Sequence, residues 1–312
     1  MRHERVLITG CGGMLGNAIY PYFKERFPHV FASDIEIEED EKSWLHFVDA
    51  RDSTGVAQAF NDFKPDLVLH LAALVDVEIC EDNPEDAEEE NVTATRIVAE
   101  NSKRHGASMV YISTGGVFDG EKPEGYYTED DKPNPIMVYG ATKLEGEHVT
   151  REILDEHYII RAGWMVGGGR RNDHKFTWLI LEQLEAGAEV IYGAIDNIGT
   201  PTYTHDFAMN LFALLDKEKF GTYHMVCKGS GTRLDVAKHI LDVCGRNDVR
   251  VEPVNSDFFK ERFFVRRPTS EKLFNQRLED LGINLMRPWR EAMTDYIHRE
   301  YPEFIKEPAT SS

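Results

Sequence analysis

The sequence lacks both long apolar segments and an excess of basic residues. No apolar run approaches the ~20 residues that a membrane-spanning helix needs. Its 35 Lys and Arg residues are outnumbered by 55 Asp and Glu residues, which gives a formal net charge of −20. Because this charge repels nucleic acids and anionic membranes, we expect neither as a partner. An anionic ligand would need a local group of basic side chains.

Cysteine is also scarce, with four residues and no C-x-x-C pair: Cys11, Cys80, Cys227 and Cys244. This pattern indicates neither a disulfide framework nor a zinc cluster. The twelve histidines include no H-E-x-x-H motif, so no metal site is predicted. No signal-peptide pattern precedes the first predicted strand, and a reduced, cytoplasmic protein is expected.

A glycine-rich turn follows a short apolar stretch, residues 6–9, near the start of the chain. Its G-x-x-G-x-x-G spacing suits a tight turn at the first glycine, close approach of a phosphate at the second and close helix packing at the third. The helix N-terminus that follows would direct free N–H groups at a diphosphate. Such a turn also occurs without any ligand. The predicted cofactor contacts here are Gly10, Gly13, Met14, Leu15 and Gly16.

Strand-like and helix-like segments alternate along the chain, which favours parallel βαβ units. Strands are predicted at 6–9, 29–32, 44–48, 67–74, 109–112 and 158–166, and helices at 14–27, 54–63, 84–105 and around 139–143. Beyond a glycine- and arginine-rich loop, 167–172, shorter strands are predicted at 188–192, 222–227 and 249–254. The fold class is therefore α/β, a Rossmann-type doubly wound parallel sheet with a smaller C-terminal α/β substrate domain.

The predicted domain boundary lies near residue 166, where the alternation becomes less regular. Residues 1–166 form the dinucleotide-binding domain, with about 200–226 packing back onto it. Residues 167–312 form the substrate domain, and its end, 308–312, is expected to be frayed. Within the first domain, Asp34 ends the second predicted strand, at about the spacing typical of an acidic residue that binds a ribose. A surface cap at the strand end is the other interpretation.

Two further motifs complete an ordered set. Ser113 and Thr114 follow a central strand, and Tyr139 and Lys143 share one face of the next helix. With the glycine turn, they resemble an extended short-chain dehydrogenase/reductase. The chain is more specifically similar to the dTDP-4-dehydrorhamnose reductase branch through its segments 72–76 (AALVD), 112–114 (IST), 117–120 (VFDG), 199–202 (GTPT), 221–224 (GTYH) and 267–268 (RP).

The resemblance implies a catalytic set of three residues. Thr114 would bind the substrate oxygen and Tyr139 would donate a proton. Lys143 would lower the pKa of the Tyr139 phenol and bind the nicotinamide ribose. Asp34 would hold the adenosine ribose, and because its charge repels a 2′-phosphate, NAD is predicted over NADP. The other implied cofactor contacts are Asp49 and Ala50 near the adenine, and Leu71, Ala72 and Ala73 along the channel.

The implied reaction is reduction of a nucleotide-activated 4-keto sugar. The sequence departs from the reductase branch at Gly115 and Gly116, where that branch has Asp-Tyr and the related dehydratases have Asp-Glu. Glycine supplies neither the acid nor the base that dehydration needs, which argues against a dehydratase. The candidate substrate-binding residues are Thr114, Gly115, Trp164, Arg170, Arg171, Lys175, Arg266 and Arg267.

Two alternatives stay open at this point. A nucleotide-sugar C4 epimerase would use the same three catalytic residues with retained NAD. A non-catalytic regulatory subunit of methionine adenosyltransferase has the same fold; the complete catalytic set weighs against it, and the missing aspartate weighs for it. The resemblance also implies a homodimer through helices 84–105 and 135–155.

Overall fold

The computed structural model describes residues 2–122 and 124–306; the frayed end predicted for 308–312 lies outside them. The strands are β1 (Arg5–Thr9), β2 (His29–Asp34), β3 (Leu45–Phe47), β4 (Leu67–His70), β5 (Ser108–Thr114), β6 (His157–Ala162), β7 (Trp164–Val166), β8 (Val190–Ala194), β9 (Ile198–Gly199), β10 (Pro201–Tyr203), β11 (Gly221–Met225), β12 (Gly231–Thr232), β13 (Arg250–Val254) and β14 (Ser270–Glu271).

The helices pack on both faces of the main sheet and around the later strands. They are α1 (Met14–Lys24), α2 (Ser53–Phe63), α3 (Val77–Asp82), α4 (Pro84–Glu88), α5 (Ala94–His105), α6 (Val138–Ile153), α7 (Gly169–Asn172), α8 (Phe176–Glu185), α9 (Thr204–Lys217), α10 (Arg233–Val243), α11 (Gln276–Asp280) and α12 (Trp289–Glu300). Within the described residues, no helix is both long and apolar enough to cross a membrane.

The main sheet has seven parallel strands in the order β11-β6-β5-β4-β1-β2-β3. Its central strands are buried on both faces, as their nearly continuous apolar sequences require. Strands β2 and β3 lie on one side of β1, and the strands from β4 onwards lie on its other side. Because all the strands are parallel, the carboxyl ends of β1, β4 and β5 meet at one edge of the sheet. The predicted Rossmann-type α/β fold is confirmed.

Strand β4 is shorter than the predicted strand 67–74 because the chain bends at this edge. The Leu71 amide donates to the Thr9 carbonyl at 3.1 Å, and the backbone then passes against Gly10. A Cβ atom at Gly10 would lie 2.4 Å from the Ala72 amide nitrogen, and Gly10 has a φ of +67°. Only glycine allows the two segments to come this close.

The predicted strand 158–166 is divided at Gly163. Strand β6 stays in the main sheet, whereas β7 pairs with β10. A Cβ at Gly163 would lie 2.5 Å from the Thr200 carbonyl oxygen, and the Trp164 amide donates to that oxygen at 2.9 Å. A long-range contact therefore turns the chain out of the main sheet three residues before the predicted boundary.

The later strands form small sheets, with orders β12-β9-β14 and β13-β8. Strand β11 returns to the main sheet beside β6, and the predicted loop 167–172 contains the short helix α7. The division into two domains near residue 166 stays a prediction.

The predicted helix 84–105 consists of α4, a π-helical turn (Glu89–Thr93) and α5. Asn91, in the π turn, is buried and bonds both backbone groups of Leu74, at 2.9 and 3.0 Å. Its amide also donates to the Thr142 hydroxyl at 3.1 Å. The π turn therefore joins the loop after β4 to the helix that carries Tyr139.

We expect Gly16→Ala to destabilise the protein far more than Gly13→Ala. A Cβ at Gly16 would lie 2.2 Å from the Cys11 carbonyl oxygen, whereas one at Gly13 would come no closer than 3.5 Å to the Gly10 carbonyl oxygen. The expected cost is about 1–3 kcal/mol or more for Gly16→Ala and within about 1 kcal/mol for Gly13→Ala. Denaturant unfolding measures both, and equal midpoints would contradict the tight packing at Gly16.

Candidate active site

The glycine turn and Asp34 form one end of the site. The Gly12 amide donates to Asp34 Oδ2 at 2.8 Å, and the Ile35 amide donates to Oδ1 at 2.7 Å. These bonds fix the carboxylate at the end of β2, directly beside the turn. The backbone of Gly13 is not covered by a side chain, and a Cβ there would make only an ordinary van der Waals contact. This arrangement fits the diphosphate and ribose of a dinucleotide.

Asp49 and Arg51 flank the same edge after β3. Arg51 donates from Nε and Nη2 to the Asp49 carboxylate, at 2.9 and 2.7 Å, and its Nη1 lies 2.8 Å from Glu90. The hydrogen bonds from Arg51 lower the pKa of Asp49. Ala50 between them is buried. The carboxylate predicted to lie near the adenine is thus fixed and charged.

Thr114 and Tyr139 lie together at the carboxyl end of β5. Thr114 Oγ1 accepts a bond from the Gly116 amide at 3.1 Å, and its hydroxyl also interacts with the Tyr139 phenol. Burial raises the pKa of Tyr139 to about 12, while the bond with Thr114 opposes this rise. The expectation that a neighbouring cation lowers this pKa is wrong for this structure, because desolvation of the phenolate dominates.

Lys143 lies one helical turn after Tyr139 and is itself buried. Its Nζ is 4.3 Å from the centre of the Tyr111 ring. Burial lowers the pKa of Lys143 to about 7, although the Glu147 carboxylate and Cys80 oppose the shift. Since only part of the Lys143 population is charged at neutral pH, it gives the phenolate little electrostatic support.

A buried ion pair holds α6 in place beneath these residues. The Glu147 carboxylate accepts two bonds from Arg161, both 2.8 Å, and one from the Ser113 hydroxyl at 2.6 Å. Glu147 is fully buried, and these partners lower its pKa despite the desolvation. Removing one member would leave an uncompensated buried charge. Helix α6 is therefore fixed to β5 and β6, and with it the position of Tyr139.

Trp164 lies on the opposite side of the site with two charged residues. Its indole N–H donates to Glu271 Oε2 at 2.7 Å, and the Arg233 guanidinium carbon is 3.6 Å from the ring centre. The sequence prediction included Trp164 and missed Arg233 and Glu271. The capping box of Thr232 and Asp235 could have placed Arg233 at a helix start. No sequence pattern indicates Glu271.

Three other predicted residues reach this side of the site. Gly115 is buried, and a Cβ there would lie 3.4 Å from a Leu273 methyl group. Lys175 is exposed and interacts electrostatically with Arg233. Arg267 forms a two-point ion pair with Glu78 on α3, at 2.8 and 2.7 Å.

The remaining predicted cations make no described contact with this group. Arg170 pairs with Glu185 and Glu303 and stacks on Trp178. Arg171 pairs at 2.7 Å with Glu41 in the loop after β2, and Arg266 is exposed. The positive charges of Arg170 and Arg171 are therefore already paired with acidic side chains. In the part of the chain that the structure describes, no group of three or more His, Cys, Asp or Glu residues is arranged to hold a metal ion.

The chain matches known proteins over nearly its whole length. The family model described as the RmlD substrate binding domain matches residues 4–301. The dTDP-4-dehydrorhamnose reductase of Mycolicibacterium smegmatis is 30% identical, over 94% of this chain and 85% of its own. The chain belongs to the RmlD substrate binding domain family. The predicted resemblance to the reductase branch and to the extended dehydrogenase/reductases is therefore confirmed.

A solved structure and a second curated relative extend the RmlD-family comparison. The dTDP-4-dehydrorhamnose reductase of Bacillus anthracis, in complex with NADP, is 30% identical with a TM-score of 0.84, covering 95% of this chain and 99% of its own. The methionine adenosyltransferase 2 subunit beta of Xenopus tropicalis is 28% identical, over 92% of this chain and 85% of its own. The family fold therefore extends over nearly the whole chain.

We expect Lys143→Met to stabilise this RmlD-family protein at neutral pH. The folded-state pKa of Lys143, about 7, lies below its ordinary value of 10.5, so the unfolded chain binds this proton more tightly. The resulting reduction in the free energy of unfolding, on the order of a few kcal/mol, has its maximum value below pH 7 and disappears as the pH rises towards 10.5. Thermal melts from pH 6 to 10 measure the difference from the parent.

The matched control for this measurement is Lys238→Met, because Lys238 is exposed on α10. Its difference from the parent should be small at every pH. A Lys143→Met difference that does not change with pH would show that burial does not perturb this ammonium group.

Proposed function

We propose that this protein is an NAD(H)-dependent reductase of a nucleotide-activated 4-keto sugar. The observation that carries the proposal is the grouping of Thr114, Tyr139 and Lys143 at the sheet edge that also bears the glycine turn. Relatives named dTDP-4-dehydrorhamnose reductase, matched over nearly the whole chain, support the same reaction class. The protein is thus a nicotinamide-dependent oxidoreductase of the extended short-chain type.

The reaction needs a proton donor beside the substrate carbonyl. When bound, the nicotinamide dinucleotide supplies the hydride. The Tyr139 phenol, with a pKa of about 12, stays protonated at neutral pH and gives its proton to the far more basic alkoxide. The Thr114 hydroxyl, which interacts with that phenol, orients the substrate oxygen. Lys143 carries the nicotinamide ribose.

The competing functions are less well supported than reduction, the activity in the printed names of the relatives at 30% identity. Dehydration requires an acid and a base, whereas Gly115 and Gly116 offer only backbone groups. Leu273 and the Met137 methyl group pack closely around these glycines, at 3.4 and 3.3 Å from where Cβ atoms would lie. An epimerase would use the same catalytic set without net cofactor use. A regulatory subunit would have no need for the three catalytic side chains, so neither alternative is favoured.

The choice of NAD over NADP depends on the charge around Asp34. The Asp34 carboxylate ends β2, and the next residues, 36–41, are nearly all acidic. A 2′-phosphate would face this negative charge. Two basic residues that contact this loop, Arg171 and Lys42, are already paired with Glu41 and Glu39. The Bacillus anthracis relative is in complex with NADP, so the choice rests on this chain's own acidic loop.

The substrate's diphosphate needs cations, and Lys175 is the best placed of the predicted ones. Arg267 is less suited because Glu78 already binds its guanidinium.

The homodimer implied for 84–105 and 135–155 also belongs to this proposal, and light scattering of the purified protein tests it. The four cysteines are free thiols, as a cytoplasmic protein requires.

We expect Tyr139→Phe to lower turnover roughly 10²–10⁴-fold, the usual scale for loss of a general acid. Dinucleotide affinity should change little, because the phenol's assigned role is proton donation. Steady-state reduction of a nucleotide-linked 4-keto sugar, together with a cofactor titration, separates the two effects. Full activity of this variant would refute the assignment of the proton donor.

We expect the parent protein to bind NADH at least tenfold more tightly than NADPH, a difference of about 1.4 kcal/mol. Asp34→Asn should narrow this gap, since it removes the charge but keeps an oxygen for the Gly12 amide. Fluorescence titration with both cofactors measures the four affinities. A native preference for NADPH would contradict the assignment of Asp34.

A further inference from the structure

The small sheet β12-β9-β14 brings the oppositely charged Glu271 and Arg233 to the two sides of Gly199. Glu271 in β14 pairs with Gly199 in β9, and Gly199 also pairs with Gly231 in β12. Arg233 follows β12 as the first residue of α10. A Cβ at Gly199 would lie 2.2 Å from the Trp164 ring. The indole therefore lies directly on β9, with the two charges beside it.

The indole contacts both charged groups and leaves part of each free. Trp164 Nε1 binds Glu271 Oε2 at 2.7 Å, and the Arg233 guanidinium lies over the ring and 5.0 Å from the centre of the Phe176 ring. Among the described residues, Glu271 Oε1 accepts no hydrogen bond and Arg233 donates none. No Arg233 nitrogen lies within 4.0 Å of a Glu271 oxygen, although the two charges attract each other.

The two charges stay apart although burial affects both. Burial raises the pKa of Glu271 and lowers that of Arg233 to about 10, so the charged form of each residue is penalised. Arg233 and Glu271 are both half-buried, and neighbouring opposite charges in such a position ordinarily meet in a direct, hydrogen-bonded pair. Here the gap between them is kept, which suits a third group that bonds to both.

The pair also lies close to the proton donor. The Glu271 carboxylate acts electrostatically on the Tyr139 phenol. Two residues further along the chain, the Leu273 side chain packs against Gly115, so this segment lines the site where Gly115 has no side chain. A group held between Glu271 and Arg233 therefore lies on the side of the site where the segment after Glu271 packs against Gly115.

We propose that Glu271 and Arg233 together bind one hydroxyl group on the sugar ring, which makes that hydroxyl a requirement for a good substrate. A hydroxyl donates one hydrogen bond and accepts others, so it can donate to Glu271 Oε1 and accept from Arg233. Hydrogen or a methyl group at that ring position would leave both charges unpaired, at a large cost in affinity. This inference rests on the proposed function, since it names the sugar that the reductase selects.

The test is Glu271→Gln, which keeps the bond from Trp164. The amide oxygen accepts the indole N–H, and the amide nitrogen then replaces the cleft-facing acceptor with a donor. We expect the KM for the hydroxylated keto sugar to rise about tenfold or more, with kcat changed much less and NADH affinity unchanged. The KM for the analogue that lacks the hydroxyl should stay the same. Glu189→Gln, at an exposed carboxylate, is the matched control.

Arg233→Gln provides the second variant, and the double variant completes a cycle. Because both residues bind one hydroxyl, the combined loss should be smaller than the product of the two single losses. A preference for the hydroxylated sugar that is equal in the parent and in Glu271→Gln overturns the inference. If Glu271→Gln fails to fold, as judged by its thermal melt, the same comparison in Arg233→Gln decides.

Calorimetric binding of nucleotide hexoses, with and without each ring hydroxyl, separates this inference from the proposed function. If the parent reduces keto sugars and Glu271→Gln discriminates equally well, the inference fails and the reductase stands. If the parent reduces none, but Glu271→Gln loses affinity only for one hydroxylated ligand, the inference stands and the reductase fails. If the parent binds no nucleotide hexose, the inference is overturned.

Discussion

The backbone contact between Gly10 and Ala72 is the constraint on which the site depends. It lets the turn after β1 and the segment after β4 cross at the carboxyl edge of the sheet, where any side chain at position 10 would collide with backbone. Thr114 reaches the same edge from β5. Asn91, in the π turn, ties the segment after Ala72 to α6, so this one crossing aligns the glycine turn with the helix that carries Tyr139.

The proposed catalytic group is held at an electrostatic cost. Tyr139 and Lys143 are both desolvated, and the pKa of each moves towards its neutral form. The buried Glu147–Arg161 ion pair lies beneath them and keeps α6 in position. A rigid support under two strained groups is the arrangement expected of a site in which function competes with stability.

Much of the fold, and the grouping of Thr114 with Tyr139, could be predicted because the signals are local. Local backbone geometry is indicated by the fixed spacing of the three glycines, and by a tyrosine and a lysine one helical turn apart. The break at Gly163 depends on Thr200, and the Trp164–Glu271 bond joins residues far apart in the chain. Arg170 and Arg171 looked like ligand cations until their acidic partners, distant in sequence, were known. Such pairings arise only from the tertiary structure.

The central claim is hydride transfer to a sugar carbonyl, and isotope labelling tests it most directly. The protein would be incubated with a nucleotide-linked 4-keto hexose and NADH deuterated on the transferred position of the nicotinamide, and the products analysed by mass spectrometry. We predict one deuterium on C4 of the reduced sugar and stoichiometric oxidation of the cofactor. An unlabelled sugar, with inverted stereochemistry or with a water lost, would contradict the claim.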